Sequence, residues 1–484
     1  MKIDPEREYS SAKQVLADLS LQSCRREDIS TLDSSIDNMK TVINVLMERL
    51  SPKPRKPPKK VKKKKKERVR EDFSKLPSEK YPDLEVEEKI VRASEAPQCP
   101  CCNSQMHESG LYKTSEKLEV IPKRYFISRN KRVVYNCRSC NGSMQNAPSL
   151  PSLSKMSNYG DSLIIDVSLS KYCDLIPIDR YCNIAARQGL EGLPANSMIG
   201  LTHILAQFLM LVYLKIKKEV SSSKLILMDE TPHKMLEGDD TMNWYLWGFF
   251  SLKACYFEAH GTRSGDVPLS FLSESMMLYM LTDAYKGYGR AAEELRKKGK
   301  KIIEAFCNAH AYRYFKDAST TWSSETEIFR ELYGKIYEIE RQAKEKKEEE
   351  AKKLARQSMV PIFEEIKNEA ERAKPMPHSS FEKAVNYFLN HYEGLTQCLN
   401  NPDIPLDNNF SERILRSPVV GRKTWYGTHS KRGAKTNSIL FSIVASCKIN
   451  DINPRNYIPW VVDRIHKKEQ ILTPYEYGQY IDSG

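Results

Sequence analysis

Five apolar runs between residues 224 and 310 restrict what this chain can fold into more than any other feature of it. They are "KLILMDET" (224–231), "NWYLWGFFSL" (243–252), "ACYFEAHGT" (254–262), "LYMLTDAY" (278–285) and "KIIEAFCNAH" (301–310). Short apolar runs bounded by charged or turn-forming residues read as buried strands. The second and third are rich in aromatic residues and close enough to form a hairpin. Helix-forming sequence is interleaved with the runs, so the expected fold is a mixed α/β sheet. Two runs end in an acid, Asp229 and Asp283. Side chains at the ends of neighbouring strands can converge at one sheet edge, although Asp also ends strands simply by starting a turn. Glu230 would point to the opposite face from Asp229 if its strand continues.

A third acid stands in "PLDNNFSERILR" (405–416). One reading is local: Asn409 is the N-cap and Glu412, three residues on, closes a capping box. The other uses helical spacing. Asn408, Glu412 and Arg416 share one face at i, i+4 and i+8, with Phe410 and Ile414 on another. A glutamate so placed is available to hold a metal ion beside a phosphate. Two carboxylates on adjacent strands plus one on a helix make an all-oxygen set, which hard cations such as Mg²⁺ prefer. Two such ions roughly 3.5–4 Å apart can clamp the attacking and leaving oxygens of a phosphodiester. No Walker loop and no glycine-rich dinucleotide turn competes with this reading.

Residues 95–147 contain "CPCCN" and "CRSCN", which give Cys99-x-x-Cys102 and Cys137-x-x-Cys140. Each pair is a knuckle able to aim two thiolates at one ion, and each is followed by an Asn suited to the left-handed conformation there. The intervening "LEVIPKRYFISRNKRVVYNC" alternates like a hairpin with its turn near Arg129 and Asn130. Two strands bringing two knuckles together make a zinc ribbon with one structural Zn²⁺, and Cys101 is a bystander. Unligated cysteines are the alternative.

The charge is uneven. The chain has 484 residues and a formal charge of +13, of which "KPRKPPKKVKKKKKERVR" (53–70) supplies most, and the rest is nearly balanced. That arm, with Lys62, Lys63, Lys64, Lys65 and Lys66 at its centre, suits phosphate backbones or serves as an extended Pro-containing linker. Before it, Leu32, Ile36, Met39, Ile43, Leu46 and Leu50 are spaced as an a/d seam, which fits self-association or packing within one domain. Twelve scattered cysteines and a charged start without an apolar h-region fit a reducing, cytoplasmic compartment. The longest apolar run, "IGLTHILAQFLMLVYL" (199–214), falls short of the ~20 residues a bilayer requires. It reads as a core helix capped by Asn196 or Ser197 after Pro194. With "LIPIDRYCNIAARQGL" before it, it is either a helix-turn-helix or a plain αα-hairpin. Residues 323–400, dense in helix formers of both charge signs, look like a helical insertion with a solvated face.

Taken in order, "LEVIPKRYFISRNKRVVYNCRSC", "DLIPIDRYCNIAARQGL", "MDETP", "TRSGDVP", "LTDAYKGY", "CNAHAYRYF" and "LDNNFSERILRSPVVGRKTWYGTHS" resemble the DDE transposases of the insertion sequence 66 family. The resemblance runs from the heptad helix to the C-terminus. The polybasic run is more extreme than in relatives and "WYGTHS" is slightly altered, but neither departure touches an acid. What the resemblance implies is a multidomain α+β protein. Its parts would be a helical or coiled-coil segment (1–50), a basic linker (51–94), a zinc-ribbon DNA-binding module (95–147) and a helical DNA-binding segment (150–220). An RNase H-like catalytic domain (221–430) with an insertion at about 323–400 and a C-terminal helical element (431–484) would complete it. Asp229, Asp283 and Glu412 fall on the three catalytic acids, which would hold two Mg²⁺ ions, with Mn²⁺ as a substitute. The implied reaction is cleavage at element ends followed by transfer of the 3′-OH into target DNA. Arg413, Arg416, Arg422 and Lys423 are candidate phosphate contacts or solvent-facing charge, and Trp425 is a base-stacking or core residue. His310 is a near-site group, half of a zinc knuckle with Cys307, or a core histidine; Asn408 and Asn409 also lie near the site. DNA, a second copy of the chain and accessory proteins of the same element are the implied partners, in a bacterial, nucleoid-associated setting. A retired DNA-binding regulator, a nuclease without strand transfer and a membrane-surface protein are the competing readings.

Overall fold

A computed structural model describes residues 76–92, 97–105, 107, 112–121, 123–136, 144–237, 241–346 and 348–483. The heptad positions, the polybasic run, Cys137 and Cys140 lie outside the described residues. The chain divides into two compact units, with the boundary between Ile127 and Ser128.

In the unit before that boundary, the short helix α1 (Pro77–Lys80) is tied to a distant segment by Ser78, whose N–H and hydroxyl both donate to Glu116, each at 2.9 Å. The first Cys-x-x-Cys forms a tight turn. Cys99 N–H donates to the Ser104 carbonyl at 2.8 Å, Asn103 N–H returns to the Cys99 carbonyl at 2.9 Å, and Asn103 takes φ 61°. Gln98 and Gln105 bridge its two ends.

The larger unit opens with β1 (Val134–Asn136) and β2 (Met144–Asn146), paired antiparallel. Their connection is residues 137–143, so the turn of this ladder is not at Arg129 and Asn130 as expected. Residues 123–132 are not strand. Part of the cause is legible in the chain: Pro122 has no N–H to give a ladder, whereas "VYN" is β-branched and aromatic.

Four helices follow: α2 (Asp161–Tyr172), α3 (Ile178–Arg187), α4 (Ala195–Phe208) and α5 (Met210–Ser221). The long apolar run is two helices, not one, because the chain bends by 55° at Leu209. The N-cap of α4 is Pro194 rather than Asn196 or Ser197. Among the described residues no single helix is long and apolar enough to cross a membrane. α3 and α4 pack against each other, and α4 buries Met198, Leu201, Leu205 and Ala206.

The sheet is built from β3 (Leu225–Lys234), β4 (Asn243–Phe250), β5 (Cys255–His260), β6 (Tyr279–Thr282) and β7 (Ile303–Phe306) in the order β5-β4-β3-β6-β7. β3, β4 and β5 pair antiparallel; β6 and β7 join parallel to β3 through the crossover helices α6 (Asp266–Ser273) and α7 (Lys286–Lys297). Ile226, Leu227, Met228, Met280 and Leu281 are fully buried, which explains why their runs are continuously apolar. Each such side chain contributes about 1.5–3 kcal/mol by leaving water.

After β7 come α8 (Asn308–Ala318), α9 (Ser323–Glu345), α10 (Glu349–Gln357), α11 (Val360–Arg372) and α12 (Ser380–Asn400). The charge-dense stretch of this insertion is not wholly solvated. Glu340 and Arg356 are buried and bond each other twice at 2.9 Å, and Arg356 also donates to the Pro402 and Ile404 carbonyls at 2.9 and 2.8 Å. The pair therefore fixes the loop leading into α13 (Asn409–Trp425). Three helices remain: α14 (Lys431–Ile449), α15 (Pro454–Lys467) and α16 (Pro474–Asp482). α14 covers the edge strand β5. Its Ser438, Ser442 and Ser446, one helical turn apart, accept the N–H groups of Ala259, Phe257 and Cys255 at 3.1, 2.8 and 2.9 Å. A sheet edge that would invite foreign strands is thereby satisfied by side chains.

Candidate active site

Asp229 lies within β3, and Asp283 follows β6 directly. The two strands pair in parallel as Leu225↔Tyr279, Ile226↔Met280 and Leu227↔Leu281. Counted on at the same offset, Asp229 and Asp283 each stand two residues past the last paired positions, Leu227 and Leu281. Beyond Leu227 the β6 side of β3 has no strand partner, so the acids stand where the parallel ladder opens. Asp229 Oδ1 accepts the N–H of Glu230 at 2.9 Å, and Asp283 Oδ1 that of Tyr285 at 3.0 Å. Burial first, then the like charges of Glu230, Asp283 and Glu412, push the Asp229 carboxyl well above the usual carboxylate range.

Glu412 sits in the first turn of α13, and its position is set by Asn408. Asn408 is the N-cap, buried at 1 % exposure, but its side chain does not cap the helix. Its Nδ2 donates to the Met228 carbonyl at 2.9 Å, the backbone group just before Asp229. Its own N–H reaches Cys307 Sγ at 3.1 Å at the end of β7, and Ser411 Oγ donates to its Oδ1 at 2.6 Å. The expected capping box is therefore not formed: Asn409 is the first helical residue and bonds Asp407 Oδ1 at 3.1 Å. The asparagine that would have capped the helix pins it to the sheet instead. From there α13 runs along β3, with Arg422 donating to the Pro232 carbonyl and Thr428 N–H to the Lys234 carbonyl at 3.0 Å.

Glu412 points to α8. Arg313 Nη2 lies 3.3 Å from its Oε1 and 3.5 Å from Oε2, and His310 Nε2 is 3.7 Å from Oε1. His310 Nδ1 is buried with no partner among the described residues, and burial, then Arg313, lower its pKa. Cys307 does not make a knuckle with His310; it accepts the Asn408 N–H, and burial raises its thiol to about 12. Among the described residues no three His, Cys, Asp or Glu side chains converge closely enough to hold one ion as they stand. The chemistry still fits a hard divalent cation. The nearest donors are carboxylate oxygens, and Asp229 is half-buried among like charges with, among the described residues, only a backbone N–H to stabilise its ionised form.

Arg413, Arg416 and Lys423 are exposed on α13, whereas Arg422 is half-buried and tied to β3. Trp425 packs edge-on against Tyr172 at 6.4 Å with Lys171 Nζ 5.4 Å from its ring, so it is a packing residue; Tyr426 beside it is 74 % exposed. In the other unit, Ser104 and then Cys99 hold the Cys102 thiol below its usual range, which favours the thiolate a metal needs.

Arg263, Tyr288 and Arg313 near the acids were not found from the residues alone, nor was the part Glu230 plays. Glu230, its side chain 2 % exposed, accepts Arg263 Nε at 2.7 Å and Nη2 at 2.5 Å, and the Tyr288 hydroxyl as well. Arg313 follows His310 by three residues, a spacing that sets both on one helix face and was visible in "CNAHAYRYF".

Residues 156–436 match the family described as "Transposase IS66 family", and residues 97–141 match "zinc-finger binding domain of transposase IS66". The chain is 24 % identical over 422 residues to the uncharacterised protein y4hP of Sinorhizobium fredii, covering 82 % of this chain and 76 % of that one. It is 24 % identical over 394 residues to y4jD of the same organism, covering 78 % and 76 %. A third uncharacterised protein from it, y4qI, is 25 % identical over 377 residues, covering 72 % and 68 %.

Proposed function

The chain belongs to the IS66 family of transposases, and from that premise we propose that Asp229, Asp283 and Glu412 hold the divalent metal with which it cuts the ends of a mobile element and joins the freed 3′-OH to target DNA. The transposase role, DNA binding and a zinc-finger domain come with the family. The observation that carries the finer reading is the β3–β6 register, whose last pair, Leu227↔Leu281, lies two residues before each acid. The strand order, three antiparallel strands leading into two parallel ones, supports an RNase H-like sheet.

Mg²⁺ bound there, or Mn²⁺ in its place, would supply Lewis-acid stabilisation of the attacking and leaving oxygens. The residues supply the rest. Asp229 and Asp283 present oxygens at the opened edge. Glu412 joins them by giving up Arg313 and His310, which frees Arg313 for a phosphate. Exposed Arg413, Arg416 and Lys423 extend along α13 for the DNA backbone, while Arg422 serves mainly to hold the helix. Cys99, Cys102, Cys137 and Cys140 hold one structural Zn²⁺. Lys62 to Lys66 add sequence-independent phosphate attraction. The heptad segment supplies a dimer contact, and accessory proteins of the element assist.

The test is a cleavage assay. Labelled duplexes carrying the DNA that flanks this gene are incubated with wild type or Glu412→Gln in Mg²⁺, with EDTA as control. Nicks at a repeat boundary that vanish with the variant and with EDTA, together with joined products, are the expected result. A Glu412→Gln protein that nicks like wild type removes Glu412 from the site. Nicks without joined products leave a nuclease.

A further inference from the structure

The loop between β5 and α6 carries an arginine held by more restraints than a surface charge needs. Arg263 gives Nε and Nη2 to Glu230 Oε1 at 2.7 and 2.5 Å. Its guanidinium lies 4.0 Å from the centre of the Tyr285 ring, and the Tyr285 hydroxyl returns to the Arg263 carbonyl at 3.0 Å. The loop also docks closely on the first turn of α7: a Cβ on Gly265 would stand 2.5 Å from the Gly287 carbonyl oxygen. Trp247 Nε1 fixes the Thr262 carbonyl at 3.2 Å on the same side.

These contacts tie one cation to the chain neighbours of both proposed metal ligands. Glu230 is the residue after Asp229, and Tyr285 donates its N–H to Asp283. Glu230 itself is engaged by a guanidinium and a phenol, so it is not available to a metal. Yet Arg263 is 43 % exposed at the side chain, and Nη1 has no partner among the described residues. The edge that faces water keeps its donors free of protein partners among the described residues. A guanidinium fixed on one edge and open on the other is built to receive an oxyanion.

We propose that Arg263 binds a DNA phosphate next to the acids, with Glu230 as its positioning residue. This rests on the transposase reading of the site. The full-length protein is tested as wild type, Arg263→Gln, Arg263→Lys and Glu230→Gln, with melting temperatures confirming that each folds. Binding to the flanking-DNA duplexes is followed by fluorescence anisotropy in Ca²⁺ across a salt series, and Mn²⁺ binding without DNA by calorimetry. Arg263→Gln should weaken DNA binding about tenfold, as loss of a charge-assisted bond does. Its salt slope should be shallower by about 0.9, one phosphate contact. Glu230→Gln should weaken DNA binding with the slope retained, because the charge remains but is no longer aimed, and Arg263→Lys should fall between. Mn²⁺ binding should be unchanged in Arg263→Gln. Wild-type DNA affinity and slope in Arg263→Gln would overturn the proposal, as would a loss of Mn²⁺ binding that accounts for the loss of DNA binding. The two readings fail separately. Wild type that binds in an Arg263-dependent way but never nicks sinks the cleavage reading alone; normal nicking with indifferent Arg263→Gln binding sinks only this one.

Discussion

Asp229 is half-buried among carboxylates, and among the described residues only a backbone N–H stabilises its charge. Its pKa is raised in the folded protein, so over the interval between the ordinary carboxylate value and the raised one the native state holds a proton that the unfolded chain has released. Stability contributed by this group is therefore present at low pH and lost as pH rises. At neutral pH without metal, Asp229 should destabilise its own fold. Asp229→Asn is expected to melt above wild type in EDTA at neutral pH, with the gap closing near about pH 4, where ordinary carboxylates take up protons. Adding millimolar Mg²⁺ should raise the wild-type melting temperature and leave the variant where it was. A variant that melts below wild type in EDTA would mean that Asp229 is held by a partner and not by the wait for a cation. Asn408 shows the opposite logic, a polar side chain with a partner at each end of its carboxamide, and that is why it can be buried.

At the scale of elements, the strands were readable because each carries its own pattern. The apolar runs ending in Asp229 and Asp283 became β3 and β6, the aromatic pair became the β4–β5 hairpin, and "NNFSERILR" became a helix. What was not readable depends on partners far along the chain. Asn408 looks like a cap until the Met228 carbonyl is beside it, and Glu230 looks redundant until Arg263 is. The bend at Leu209 is invisible because both halves of the run are equally apolar. The serines of α14 belong here too: a four-residue spacing in "SILFSIVAS" reads as small-residue packing, yet it serves the exposed edge of β5. Ser442→Ala should leave the buried Phe257 N–H without an acceptor and cost about 1–3 kcal/mol. Hydrogen exchange would locate the effect, with the Phe257 amide accelerated more than those of the central strand β3. Uniform acceleration across the sheet would mean that Ser442 matters only through helix packing.

For the whole molecule, a buried and a half-buried histidine, His233 and His203, join parts that local sequence keeps apart. His233 Nε2 meets Thr428 Oγ1 at 2.9 Å, tying β3 to the loop after α13, and His203 Nδ1 meets Thr436 Oγ1 at 2.7 Å, tying α4 to α14. Burial lowers both to about 4, helped by Arg422 for His233 and by Arg432 and Lys171 for His203. A histidine with a depressed folded pKa contributes stability that is complete above its unfolded value and lost as pH falls toward the folded one. The window is therefore between about 6.5 and 4. For His233 the loss is on the order of 3 kcal/mol; His203 is less buried and loses less. Other groups act against this. Glu219, raised to about 7 mainly by burial, gains a stabilising proton over part of the same range, so a wild-type melting curve against pH mixes opposite signs. The difference between wild type and His233→Gln separates them, because Glu219 titrates alike in both. Wild type should lose stability relative to His233→Gln as pH falls from 6.5 to 4. The loss should appear in the cooperative melt of the larger unit, since the bond joins its sheet to the loop that closes the acid-bearing helix. A difference that stays constant with pH would show that His233 takes up its proton without leaving Thr428, and that this junction is not what acid breaks.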